Sequence, residues 1–239
     1  MTRIPMVSWK PEVLEMKAEL CAQRLQGDAR AADLAPALEG AAGTLKGAAE
    51  EALQAKVRER VMRMALVDAE GTVQQAVRKA RAVVLAAADG DPARAPYRMA
   101  FPEGTRGMLN ARRETMADRV QGLAEALAAV AGMEAQGKAV ADAGEAARKA
   151  LAEWRQAKGT LRKTVITKQA AKEALVEEFR LAWAAVRVRL RDKAQAEALF
   201  PDLAPTAKDA KGTGTEAAPT GAATEARKDD AKPPVTVAA

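Results

Sequence analysis

The stretch Leu175-Val176-Glu177-Glu178-Phe179-Arg180-Leu181-Ala182-Trp183-Ala184-Ala185-Val186-Arg187-Val188-Arg189-Leu190 decides the fold. Val176, Phe179, Trp183, Val186 and Leu190 step by 3, 4, 3 and 4 residues, the spacing of a coiled-coil-like seam. The spacing predicts a helix over about residues 167–193 with its large side chains on one buried stripe.

Working back from that helix, the chain keeps the same period. Pro11 suits the first turn of a short helix reaching about Leu25 and stopping near Gly27-Asp28. Leu34, Leu38, Leu45, Leu53, Val57, Val61 and Met64 then form one helical face, with alanines filling the missing turns. A break is expected around Asp68–Gly71, and a further helix carries Val73, Val77, Val84 and Leu85. Three prolines and three glycines make residues 89–109 a loop. Asn110 is the expected N-cap of a helix with Met116, Val120, Leu123, Leu127 and Val130, ending near Ala157 or Leu161.

The two halves end alike. Phe101-Pro102-Glu103 matches Phe200-Pro201-Asp202 at an offset of 99. The helices before them align at 103, setting Val73, Ala76, Ala80, Val83 and Ala87 on Val176, Phe179, Trp183, Val186 and Leu190. This reads as a duplicated helical hairpin, small residues of one copy meeting large ones of the other in a four-helix core. Phe101, Phe179, Trp183 and Phe200 are its expected core aromatics. The expected organisation is an N-terminal arm and short helix at 1–30, a first helical unit at 31–109, a second at 110–203, and a tail at 204–239. The tail has almost no large aliphatic residue and reads as disordered. The fold class is thus all-α: an antiparallel, up-and-down bundle of long helices with a disordered C-terminal tail.

Composition narrows the chemistry. The chain has 239 residues, of which 60 are alanine, with no histidine, one cysteine and 3% aromatics. Catalysis by a Ser-His-Asp triad and metal sites built on histidine are excluded, as are disulfide frameworks and Cys-rich metal centres. Ser8 is the only serine and has no base beside it; Glu50-Glu51 and Glu177-Glu178 are ordinary surface pairs. Neither a P-loop nor a dinucleotide fingerprint is present. No catalytic residue, metal, cofactor or small-molecule substrate is expected, and the chain is read as a non-enzyme.

Two constellations carry contact chemistry. Ile4, Met6, Val7 and Trp9 lie outside the helical period. They read either as an arm that docks on a partner or as a cap on the end of their own bundle. Arg106, Arg112, Arg113 and Arg119 cluster mid-chain, and Arg180, Arg187 and Arg191 recur along the last helix, preceded by Lys158, Arg162, Lys163, Lys168 and Lys172. On one face these could follow a polyanion without sequence preference, although Glu173, Glu177 and Glu178 interrupt them.

The N-terminal apolar stretch is too short for a signal peptide and is broken by Pro5, and no window is apolar enough to span a membrane. The cytoplasm is the expected location. The functional expectation is a structural, scaffold or adaptor protein working through helix faces, with a protein partner or homo-oligomer. Nonspecific nucleic-acid or polyanion binding is the alternative.

Overall fold

The computed structural model describes residues 4–102, 104–105 and 113–200. The tail at 204–239 and the proposed cap Asn110 lie outside them. Among the described residues all regular structure is helical: α1 (Pro11–Gln26), α2 (Ala35–Ala87), α3 (Ala95–Ala100), α4 (Arg113–Ala128), α5 (Glu134–Leu190) and α6 (Lys193–Leu199). A single 3-10 turn, Ala32–Leu34, leads into α2. The protein is an all-α antiparallel bundle.

Its frame is the pair α2 and α5. At 1.5 Å per residue, helices of 53 and 57 residues run for about 80 Å. Helices within a folded protein owe more to packing than to propensity, so the shared seam is what holds them. That seam has two separate cores. At one end α1 supplies Leu14, Cys21 and Leu25, the start of α2 supplies Leu38 and Leu45, and the end of α5 supplies Leu175, Phe179 and Val186, with Phe200 closing over them. At the other end the last turns of α2 (Val73, Val77, Val84) meet α4 (Val120, Leu123, Leu127) and the start of α5 (Val140), closed by Tyr97 and Phe101. Both ends are thus three helices thick. Between them lies a waist of two helices, where Ala52, Ala55 and Leu66 of α2 and Leu151 and Ala157 of α5 are the buried residues.

Element order and burial both repeat. A 16-residue helix, a long helix and a short helix ending at a buried phenylalanine occur twice. Leu14, Ala18, Cys21, Ala22 and Leu25 are buried in α1; Met116, Val120, Leu123, Ala124 and Leu127, each 102 residues later, are buried in α4. Val73, Val77, Ala80 and Val84 likewise correspond to Leu175, Phe179, Ala182 and Val186. Burial sets the long-helix register at 102, one residue from the expected 103. The seam of α5 therefore runs through Leu175 and Ala182, and Trp183 sits half-buried on its flank against Phe200, ring centroids 5.2 Å apart.

The structure departs from expectation in further places. Residues 73–84 and 175–186 pack in different cores at opposite ends, so the aligned small and large residues do not meet and no four-helix core forms. The break expected at Asp68–Gly71 is absent, and α2 is continuous. So is α5 through Gly159 and the β-branched Val165-Ile166-Thr167, where two helices were expected. Glycine and β-branched residues cost a helix about 1 kcal/mol or less each, too little to interrupt a seam held from both sides. The real break is at residues 129–133, where Gly132 adopts φ +80°, and α1 is the counterpart of α4 rather than a separate arm. The loop at 89–109 contains α3, and Asp192 caps the unforeseen α6 by accepting from the Ala194 and Gln195 amides.

Candidate functional site

Five residues from three helices meet at one side of the waist. The Arg113 Nε donates to Glu70 Oε1 at 2.6 Å, tying the start of α4 to α2. The Trp154 Nε1 of α5 donates to Glu59 Oε1 of α2 at 2.7 Å. Arg113 and Lys158 both lie over the Trp154 ring, 5.8 and 4.8 Å from its centroid. Cations over an indole face add electrostatic attraction to the packing. Together these contacts cross-brace the waist where its apolar seam is thinnest.

The outer side of α2 in the waist is different. Leu53, Val57, Val61, Met64 and Val67 are each 50–63% exposed. They step by 4, 4, 3 and 3, one face of a helix, turned away from the side that buries Ala52, Ala55 and Leu66. Four of the seven residues expected on that helical face, Leu53, Val57, Val61 and Met64, are thus on the surface. The reason is local thickness: α1 covers α2 as far as Ala48 and α4 resumes from about Glu70, leaving only α5 between.

The waist also concentrates charge. Trp154 to Lys172 contains six basic residues and no acidic one; Lys56 to Val67 contains four basic residues and Glu59. Ten bases against one acid here exceed the net +6 of the whole chain, so the rest of the chain is net acidic.

The residues singled out from sequence are scattered. Trp9 is buried in the first core, Ile4 and Val7 pack against that core, and Met6 is exposed. Arg106 and Arg112 lie outside the described residues. Arg113 is in the brace, and Arg119 lies on the exposed side of α4. Arg180 pairs with Glu177 at 3.0 Å, Arg187 lies 5.8 Å from the Trp183 ring centroid, and Arg191 ends α5 with φ 54°. The described arginines fall at the waist and at both ends and do not make one strip. Phe101, Phe179 and Phe200 are core, and Trp183 is half-buried beside Phe200. Sequence reading missed the waist, whose signals were the acid-free run after Trp154 and an aliphatic face richer than a two-helix seam can bury.

Among the described residues no group of three or more potential metal-ligating side chains occurs. None of the described helices is long and apolar enough to cross a membrane. Burial pushes the Cys21 thiol up to about 12, which keeps it protonated at neutral pH.

At the first end, hydrogen bonds from the Arg30 side chain and amide lower Asp28 to about 2, and Arg189 lowers Asp33 through its own hydrogen bonds. Both carboxylates have folded values below the ordinary 3.8, so the folded state binds protons less readily than the unfolded chain. Their stabilisation is full above the ordinary value and is lost as pH falls through the folded values. The melting temperature is expected to drop as pH is lowered from 5 to about 2, by a small amount because Asp33 and the Arg30 partner of Asp28 are exposed and water screens both pairs. The Asp28→Asn/Asp33→Asn variant should show a shallower drop; an unchanged slope would refute the assignment.

No family model, curated protein or solved structure matches this chain.

Proposed function

We propose that the chain is a non-catalytic adaptor or scaffold that acts through helix–helix contact at its waist. The observation that carries this reading is the exposed aliphatic face of α2, Leu53 to Val67, in a region where both ends of the bundle have a third helix and the waist has none. A contiguous apolar face of this kind on a water-exposed helix marks a contact surface. The residues 102 positions later on α5 are Arg155, Gly159, Lys163, Ile166 and Gln169, so the repeated architecture does not itself call for an apolar outer face. A second reading, polyanion binding, is favoured by the acid-free run from Trp154 to Lys172.

A photo-crosslinking residue at Val61, in the cells that make the protein, separates them. The contact reading expects a discrete protein adduct that survives nuclease, absent from a control at the exposed Glu145 on α5. A nuclease-sensitive adduct transfers support to the polyanion reading. No adduct at Val61 overturns the contact reading.

A further inference from the structure

The waist offers more than an apolar face, because its charges limit what can cover that face. Arg60 lies within the aliphatic stripe, and Arg58 and Arg63 flank it, all three exposed. Glu50-Glu51 precede Leu53 and Asp68 follows Val67, all three exposed, whereas Glu70 is turned to Arg113 in the brace. The basic and apolar stretch is thus fenced by acids at both ends. It spans about 21 Å from Leu53 to Val67, at 1.5 Å per residue. That is a finite site, the length of a four-turn helix.

We infer that the waist docks an acidic amphipathic helix of a partner protein. The partner's apolar side chains lie along Leu53, Val57, Val61, Met64 and Val67, and its carboxylates face Arg58, Arg60 and Arg63. This deepens the contact reading and rests on it.

Charge is the argument for this occupant. A second copy laid antiparallel and centred on Arg60 sets Arg60 against Arg60 and brings Glu50 near Asp68. A parallel copy in register sets every charge against its like. Like charges across an interface disfavour both arrangements. Nucleic acid would satisfy the bases and leave five aliphatic side chains in water. A bilayer with anionic headgroups would satisfy both, but it extends past the acidic fences, where the exposed Glu50, Glu51 and Asp68 would oppose it. An acidic helix matches the apolar period, the central charge and the length together.

Binding of labelled peptides to the full chain tests this. The probes are an amphipathic helix of about 24 residues with a leucine face and glutamates opposite, a copy with lysine for glutamate, and a scrambled copy of the acidic one. A DNA duplex and phosphatidylglycerol vesicles complete the set. The acidic helix is expected to bind at least tenfold more tightly than either peptide control and more weakly as salt rises. Val57→Glu/Met64→Glu should reduce its affinity at least tenfold with unchanged melting, because both side chains are exposed. Arg60→Glu/Arg63→Glu should turn the preference towards the lysine helix.

Equal binding of acidic and basic helices, no binding by either, or binding indifferent to both variants would overturn the inference. So would DNA or vesicle binding that is tighter than the helix and lost in Val57→Glu/Met64→Glu, or self-association abolished by that variant. Failure of the acidic helix alongside a protein adduct at Val61 removes this inference and leaves the contact reading standing. Absence of the adduct removes the reading itself.

Discussion

Phe179→Ala is expected to cost about 3–5 kcal/mol and to loosen one end of the molecule while the other holds. Phe179 is 1% exposed and lies in the core that joins α1, the start of α2 and the end of α5. Removing the ring empties a site bounded by three rigid helices, which cannot collapse to fill it. The second core shares no buried residue with the first, and the waist between them is buried chiefly through alanines. Hydrogen exchange should therefore show protection falling over residues 11–48 and 171–200 and persisting over 73–100 and 116–147. Denaturant unfolding should broaden or split into two transitions, since one end now melts first. An equal loss of protection at both ends would show that the waist transmits stability and that the two cores are one cooperative unit.

The same division explains how much could be read from the sequence. The end of α5 was legible because its large residues recur at helical spacing, and the helical class followed from it. The placement of breaks was not. Val165-Ile166-Thr167 looks like a boundary to local propensity, yet Leu151, Ala157, Ala171 and Leu175 bind the helix to α2 on both sides of it. The true break at Gly132 is one glycine among five between Asn110 and Leu161, and only its left-handed φ distinguishes it. Leu53, Val57, Val61 and Met64 continue the periodicity of Leu38 and Leu45, but periodicity shows only that residues share a helix face. Whether that face is covered depends on where α1 ends and α4 resumes, a fact of tertiary structure. The waist escaped notice for this reason, although its charge was countable in the sequence.

The register of the repeat makes a second strong prediction, at the contact between α4 and α5. A Cβ on Gly144 would lie 2.7 Å from Cγ1 of Val120, too close for a real contact. Valine has little χ1 freedom in a helix, so Val120 cannot rotate away cheaply. Gly144→Ala gains about 1 kcal/mol of helix propensity, but it is expected to lose about 1–3 kcal/mol net through overpacking. The positions 102 residues earlier are Ala42 and Ala18, both buried in the first core. The two ends thus solve one packing position differently, alanine with alanine in the first and glycine with valine in the second. Introducing the first solution into the second end, as Val120→Ala/Gly144→Ala, should recover stability to within about 1 kcal/mol of the parent. Val120→Ala alone should cost about 1–3 kcal/mol through the cavity it leaves. Gly137→Ala provides the contrast: its Cβ would meet backbone, 3.0 Å from the Ala124 carbonyl oxygen and 3.2 Å from the Ala128 nitrogen. Trimming Val120 cannot relieve that clash, so Val120→Ala/Gly137→Ala should be no more stable than the sum of its parts. Denaturant midpoints of these single and double variants measure both couplings. Rescue at Gly144 without rescue at Gly137 is the expected pattern, and additive losses at Gly144 would refute the close approach of Val120 to Gly144.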